Sequence, residues 1–326
     1  MKISVVIPVY NGGDFIEKSY DSILNQNLSD FEIIYVDNNS KDDSVANIKK
    51  VVERDPRARL LIQPKQGAAP ARNMGIKEAA GEYVYVFDVD DEIYPNALNT
   101  MISVLDDHTN VEAVFGKMVK SDVGIDQTEK PQDETGDIIL RDKPHWGLVW
   151  FSDLKTVVGP PAFLYRKSVF SKIGMYNESI RNNEDTALDI KLGMMCQVAF
   201  LDMYVYLYFK HAESTIEQSK RQMPRAFMIW PRLVKEHLPF HLQHPTNQRF
   251  KELMLSQIYQ SMGKQVYFTK GRQERSTLRK DLLSQIEGIS VPSSLRSYLK
   301  LLVWFPWTYV IKFYQYYLVP NVVKNS

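Results

Sequence analysis

The chain has 326 residues, 44% of them hydrophobic, enough to bury one large core or two modest ones. Its single cysteine, Cys196, excludes a disulfide framework within the chain. No stretch reaches the roughly 18 uninterrupted apolar residues of a membrane-spanning helix. The net charge of +1 hides an asymmetry: residues 1–216 carry 23 Lys and Arg against 33 Asp and Glu, while residues 217–326 carry 17 against 6. Two regions with different partners are expected, the basic one facing something anionic. MKISVVIPVYN is broken by Pro8 and has no small-residue cleavage site, so we expect no signal peptide and a cytoplasmic chain.

In chain order, Ile3–Val9 is an apolar, β-branched run and reads as a buried strand. Asn11-Gly12-Gly13 breaks it, and Phe15, Ile16, Tyr20, Ile23 and Leu24 then recur at helical spacing. FEIIYVD is a second strand, ending in the polar turn NNSKDDS and a helix through Val45–Val52. RLLIQ is a third, and QGAAPARNMGIKEAAGE leads through a short helix to a fourth, YVYVFDV. Buried strands alternating with helices predict an α/β fold with a mostly parallel sheet covered on both faces. Sites in such sheets lie beyond the carboxyl ends of the strands, where Tyr10-Asn11, Asp37-Asn38 and Asp88–Asp91 converge. Asp88, Asp90, Asp91 and Glu92 place four carboxylates within five positions. They repel one another unless the turn is fully solvated or a cation completes it.

A helix over Asn96–Leu105 and a strand over Val111–Phe115 follow. Residues 121–144 are acidic with little periodicity and read as a mobile loop. HWGLVWF, a helix starting near Glu184 and the strand-like AFLDMYVYLYF complete the first region, and from about Glu217 the pattern is helical and basic.

Six motifs in this order resemble the family-2 inverting glycosyltransferases with the GT-A fold. They are Pro8-Val9-Tyr10-Asn11, the turn Val36 to Asp42, Ala71-Arg72-Asn73-Met74-Gly75, Phe87-Asp88-Val89-Asp90-Asp91, the pair Glu184-Asp185, and Tyr208 to Ser214 around His211. The resemblance covers residues 1–216 and implies a catalytic domain there, with a nucleotide-binding half at 1–115 and an acceptor-binding half at 116–216. Residues 217–326 lie outside it as a basic, aromatic helical region. The implied donor is a nucleotide-sugar, most simply a UDP-sugar. Asp37 accepts from a uracil-type N–H, and the chain at Pro8, Tyr10 and Asn11 supports the ring. Asp88 accepts from ribose hydroxyls, Arg72 approaches the diphosphate, and Asp90 ligates a divalent cation bridging it. A carboxylate with phosphate oxygens suits Mn²⁺ or Mg²⁺, and His211 as an additional ligand tilts the choice toward Mn²⁺. Asp185 is the expected base for the acceptor hydroxyl, with Glu184 positioning it or touching the donor sugar. The family's second turn usually carries an acid and a glycine where this chain has Asn38 and Asn39, which loosens the inference to uridine.

Two other readings are weighed beside this one. A sugar-nucleotide nucleotidyltransferase needs a glycine-rich loop with a basic residue after the first strand, but Gly12-Gly13 is followed by Asp14. A non-catalytic nucleotide- or glycan-binding scaffold is the other. Trp146 and Trp150 are candidates to stack on acceptor sugars, against the bland alternative of core packing. Near the C-terminus, residues 295–323 mix aromatics with Lys300 and Lys312 around Pro306. That composition fits peripheral contact with the inner face of the plasma membrane, where a lipid-linked glycan acceptor resides; a helical lid or a homo-oligomer contact is the alternative. No nucleic-acid partner is expected.

Overall fold

The computed structural model describes residues 1–180, 183–211 and 233–325. The chain divides into two compact units, Met1–Gln218 and Ser219–Ser326.

In the first unit, β1 (Ile3–Val9), β2 (Phe31–Asp37), β3 (Ala58–Ile62) and β4 (Tyr83–Val86) run parallel in the order β3-β2-β1-β4. Every residue of β2 is buried, as expected of a strand covered on both faces. The register aligns the carboxyl ends: Val9 lies opposite Asp37, and Asp37 opposite Ile62. Pro8 is tolerated in this central strand because the β1–β4 ladder stops at Val6 opposite Val86. Helices α1 (Ile16–Leu24), α2 (Ser44–Arg54) and α3 (Ala68–Glu78) connect the strands. A Cβ on Gly75 would stand 2.2 Å from Val6 Cγ1, so only glycine lets α3 approach the sheet this closely. That approach fixes the depth of Arg72 and Asn73, one turn earlier.

Beyond β4 the sheet becomes mixed. After β5 (Glu92–Ile93) and α4 (Ala97–Asp107) come β6 (Ala113–Ser121), β7 (Ile138–Arg141), α5 (His145–Ser152), β8 (Phe163–Arg166), α6 (Val169–Ile173), α7 (Glu184–Met195) and β9 (Val198–Phe209). β8 pairs antiparallel with β4 and β6, β6 pairs parallel with β9, and β5 and β7 both pair antiparallel with β9. The parallel expectation therefore holds for the first four strands and again for β6 with β9, and the antiparallel β5, β7 and β8 make the rest of the sheet mixed.

Residues 121–144 are also corrected. Instead of a free loop, the segment contains β7, and its carboxylates serve the backbone and side chains of β9. Glu134 accepts from the Tyr204 N–H at 2.9 Å, and Asp133 accepts from the Tyr204 hydroxyl at 2.8 Å. β7 is largely solvent-facing, so its sequence carries no apolar alternation to betray it.

The second unit is helical, as expected. A π-helical turn (Leu233–His237) and α8 (Leu238–Gln243) precede α9 (Gln248–Phe268), α10 (Arg272–Ser284) and α11 (Ser293–Trp304). Then α12 (Thr308–Phe313), a π-helical turn (Tyr314–Leu318) and α13 (Val319–Lys324) follow without a break. The long helix α9 opens on Asn247, whose side chain caps the Arg249 N–H at 2.7 Å. Phe250, Met254, Ile258, Met262 and Val266 recur every four residues as its buried stripe. Gly263 admits the Tyr314 ring, whose hydroxyl donates to the Tyr259 carbonyl at 2.9 Å.

Candidate functional site

The carboxyl ends of β1 and β2 are laced together by short polar bonds. The Asn11 N–H donates to Ser40 Oγ at 3.0 Å, and the Lys41 N–H donates to Asn11 Oδ1 at 2.8 Å. Asn11 and Asn39 both hold positive φ, 51° and 63°, a region asparagine tolerates better than most side chains. Asn38 is a clamp: its amide donates to the carbonyls of Gln63 and Lys65 and accepts from the Gly67 N–H. An aspartate there would lose both donations, which gives the departure from the family pattern a structural reason. Beside it Asp37 is 3% exposed, and its Oδ1 has no hydrogen-bond partner among the described residues. An unpartnered buried carboxylate oxygen is costly, and an imide N–H is a suitable complement. Tyr10, at 56% exposed, leaves its ring open at the rim.

The four-carboxylate run resolves into four separate pairings. Asp88 meets Arg72 at 2.9 Å, and Asp90 meets His211 Nε2 at 2.8 Å. Asp91 accepts from the Phe209 N–H at 3.0 Å, while Glu92 pairs with Lys18 at 2.8 Å and accepts from the Ile125 N–H at 3.0 Å. Burial, with Asp88 nearby, pushes the Asp90 carboxyl above its ordinary range, and His211 opposes this. Asp91 is pushed well above it by burial and then by Asp90 and Asp88. So Asp91 and Glu92 hold the fold together, while Asp88 and Asp90 face the rim. The His211 ring is itself seated between Phe15 and Phe209, at centroid distances of 5.2 and 5.8 Å. Of its motif, Ala212 to Ser214 lie outside the described residues.

Arg72 takes a task other than the expected one. Its guanidinium is buried, and its terminal nitrogens reach Asp88 and Glu184, each at 2.9 Å. Burial alone would lower its pKa, but Asp88 and Glu184 outweigh this and raise it well above normal, so the charge stays. Rather than lying free for a diphosphate, Arg72 braces the end of β4 against the start of α7. Asn73 adds a second tie: its amide both donates to and accepts from the backbone of Tyr176.

Helix α7 begins after Asn183, another asparagine at positive φ, 64°. Glu184 is buried against Arg72, and burial raises its carboxyl against the opposing pull of that guanidinium. Asp185 is half-buried, with Oδ1 accepting from the Thr186 N–H at 2.6 Å. One turn on, Asp189 is 1% exposed and pushed well above the usual range by burial and then by Asp185. Asp189 and Tyr176 were not picked out from the sequence, and Asn73 was marked only as part of the Ala71–Gly75 motif, with no role given. Nothing in the local pattern marks Asp189 or Tyr176, and the tie between Asn73 and Tyr176 joins segments distant along the chain.

Trp150 is corrected outright. It is 1% exposed and packs edge-on to Phe115 and Phe163, 5.2 and 5.6 Å away, so its faces are closed to a sugar. Trp146 stacks on Trp150 at 6.1 Å and stays partly exposed.

A cation site fits this donor set in part. Asp90 and His211 offer one carboxylate and one imidazole at a common point, and hard divalent ions on phosphates commonly take only one or two protein ligands, the substrate supplying the rest. Among the described residues no group of three or more such ligands is assembled.

The family model "Glycosyl transferase family 2" matches residues 4–174. A Campylobacter jejuni protein named as GalNAc(5)-diNAcBac-PP-undecaprenol beta-1,3-glucosyltransferase is 37% identical over 103 residues, 31% of this chain and 33% of its own. The match spans less than two thirds of the length of the foremost curated relatives. Among solved structures, Staphylococcus aureus TarS 1–349 in complex with UDP-GlcNAc aligns with a TM-score of 0.67 at 18% identity, covering 100% of this chain and 92% of that one. The Pyrobaculum calidifontis mannosyltransferase PcManGT, in complex with GDP-Man and Mn²⁺, aligns at 0.54 with 16% identity, covering 98% and 86%. These neighbours share the GT-A fold. The chain belongs to glycosyl transferase family 2.

Proposed function

We propose that the protein is a metal-dependent, inverting glycosyltransferase that moves a hexosyl or N-acetylhexosaminyl group from a UDP-sugar to a hydroxyl of a bacterial surface glycan or lipid-linked oligosaccharide. The observation carrying this reading is the Arg72 brace, which joins the donor-side carboxylate Asp88 to Glu184, the neighbour of Asp185. Donor and base elements are thereby held on one rim.

Asp37 accepts from the base N–H, Tyr10 and the chain around Pro8 and Asn11 line the base, and Asp88 accepts from the ribose. Asp90 and His211 would hold the cation; Mn²⁺ or Mg²⁺ supplies neutralisation of the departing diphosphate. Asp185 takes the proton as the acceptor oxygen bonds to the anomeric carbon. The bond to the diphosphate breaks with its electron pair leaving on UDP. A single displacement inverts the centre and needs only one base. Support for the donor comes from TarS, described with UDP-GlcNAc, and for the metal from PcManGT, described with Mn²⁺. The Campylobacter relative's name specifies a diphosphate-undecaprenol acceptor, in keeping with action at the inner face of a membrane and peripheral contact through residues 295–323.

The nucleotidyltransferase alternative loses ground. The N–H groups of Gly12 and Gly13 already donate to Ser44 and Asp42 at 3.0 and 2.9 Å, leaving that loop no amide cradle for a triphosphate. The test is release of UDP from a panel of UDP-sugars, with and without Mn²⁺. Metal-dependent release that vanishes in Asp185→Asn supports the proposal. Calorimetry showing metal-independent UDP binding with no turnover of any donor would favour the scaffold.

A further inference from the structure

Large apolar side chains left exposed among the described residues concentrate between Leu301 and Tyr317. Tyr309, Phe313, Tyr316 and Tyr317 recur at steps of three and four on one face of the continuous α12–α13 helix, with exposures from 46% to 69%. Val310, Ile311 and Tyr314, on the other face, are buried. At the α11–α12 corner Trp304 and Trp307 are each 49% exposed. The rings form runs: Trp307 lies 5.4 Å from Tyr309, and Phe313 lies 5.6 Å from Tyr317. A patch of this kind marks a docking surface.

We infer that this aromatic face docks on an anionic lipid membrane. Charge decides the occupant. From Gly288 to Ser326 the sequence contains no Asp or Glu, while Arg296, Lys300 and Lys312 are exposed beside the rings. A twofold contact between copies through the same face would bring cations onto cations with no acid on that stretch to relieve them. Lysine is also depleted from protein interfaces. Anionic headgroups supply the missing counter-charge, and lysine stems reach them past the rings. Trp and Tyr, apolar in body and polar at one end, suit the headgroup boundary. No helix among the described residues is long and apolar enough to cross a membrane, which makes the contact a surface one. The inference rests on the proposed membrane-linked acceptor for its purpose, though its test is independent of catalysis.

The experiment is flotation of the full chain with vesicles of phosphatidylcholine alone or with phosphatidylglycerol added, with sedimentation velocity run in parallel. The expected result is binding to the anionic vesicles only, weakened by salt. Lys300→Gln with Lys312→Gln should lower the affinity about 25-fold, since each basic residue near an anionic leaflet contributes about fivefold. Trp307→Ser with Tyr316→Ser should abolish flotation while UDP release in vesicle-free solution stays at the parent rate. The inference is overturned by equal flotation of parent and both double variants, by no flotation of the parent, or by a dimer that the aromatic variant dissociates without any vesicle binding. Loss of UDP release with flotation intact would strike the catalytic proposal alone.

Discussion

The strand-end rim of the first unit and the α11–α13 face of the second manage unfavourable surface in opposite ways. At the rim, crowded charges are each given a partner: Asp88 with Arg72, Asp90 with His211, Asp91 with a backbone N–H, and Glu92 with Lys18. On the helical face, aromatic rings are left exposed among cations in a stretch, residues 288–326, whose sequence carries no acid. The first arrangement yields directional chemistry, because each group is held at a defined distance. The second suits the proposed adhesion, which needs area and sign of charge rather than geometry. A point substitution at the rim should therefore cost orders of magnitude, whereas the face should weaken in steps.

The largest expected effect is at Asp185. Removing a general base forfeits about 10²–10⁴-fold, so Asp185→Asn should lower kcat by about a thousandfold in a transfer assay while leaving the melting temperature near that of the parent. A parent-like kcat would remove Asp185 from the mechanism. Next is Arg72→Ala, which leaves Asp88 and Glu184 facing each other without their shared cation. Breaking a buried pair costs about 3–5 kcal/mol, and part-exposure of Asp88 puts the expectation at the lower end, read by chemical denaturation. Arg72→Lys should recover only part of it, since one ammonium cannot span both carboxylates as a fork does.

A smaller effect sharpens the view of the rim as a set of held distances. Asp91 fixes the Phe209 amide, two residues before His211. Asp91→Ala should weaken Mn²⁺-dependent UDP binding by about tenfold in calorimetry, as loss of outer-shell support does. UDP binding in chelator should not change. The smallest effect concerns Asp189. Its folded-state carboxyl titrates above the unfolded value, so the native chain holds the extra proton between the two. Stability is then greatest at low pH in that window and falls as pH rises through it, by at most about 1.4 kcal/mol per pH unit. Asp189→Asn should flatten that slope in denaturation series run from pH 4 upward. An unchanged slope would show that Asp189 titrates normally.

The first four strands were legible because strands covered on both faces must be almost wholly apolar, and the polar residues that end them then mark the rim. Asp37 and Asp90 could be named in that way, whereas Asp185 was named only through the family resemblance of the Glu184-Asp185 pair. The Arg72 brace could not, because Glu184 lies 112 residues further along the chain and no local pattern records a partner that remote. Trp150 failed for a related reason: an aromatic residue on a short helix looks the same in sequence whether its faces are open or closed by Phe115 and Phe163. β7 escaped notice because its exposed side chains leave no periodicity to read.

By itself the sequence determined the order of the first four strands and their helices, the polar residues at the strand ends and the basic, aromatic character of the C-terminal region, since each depends on residues near one another in the chain. Only the tertiary structure decided which carboxylates are structural, that Arg72 ties β4 to α7, and which aromatics remain exposed. Pairing and burial are set by contacts between distant segments, and those arise only when the chain is packed.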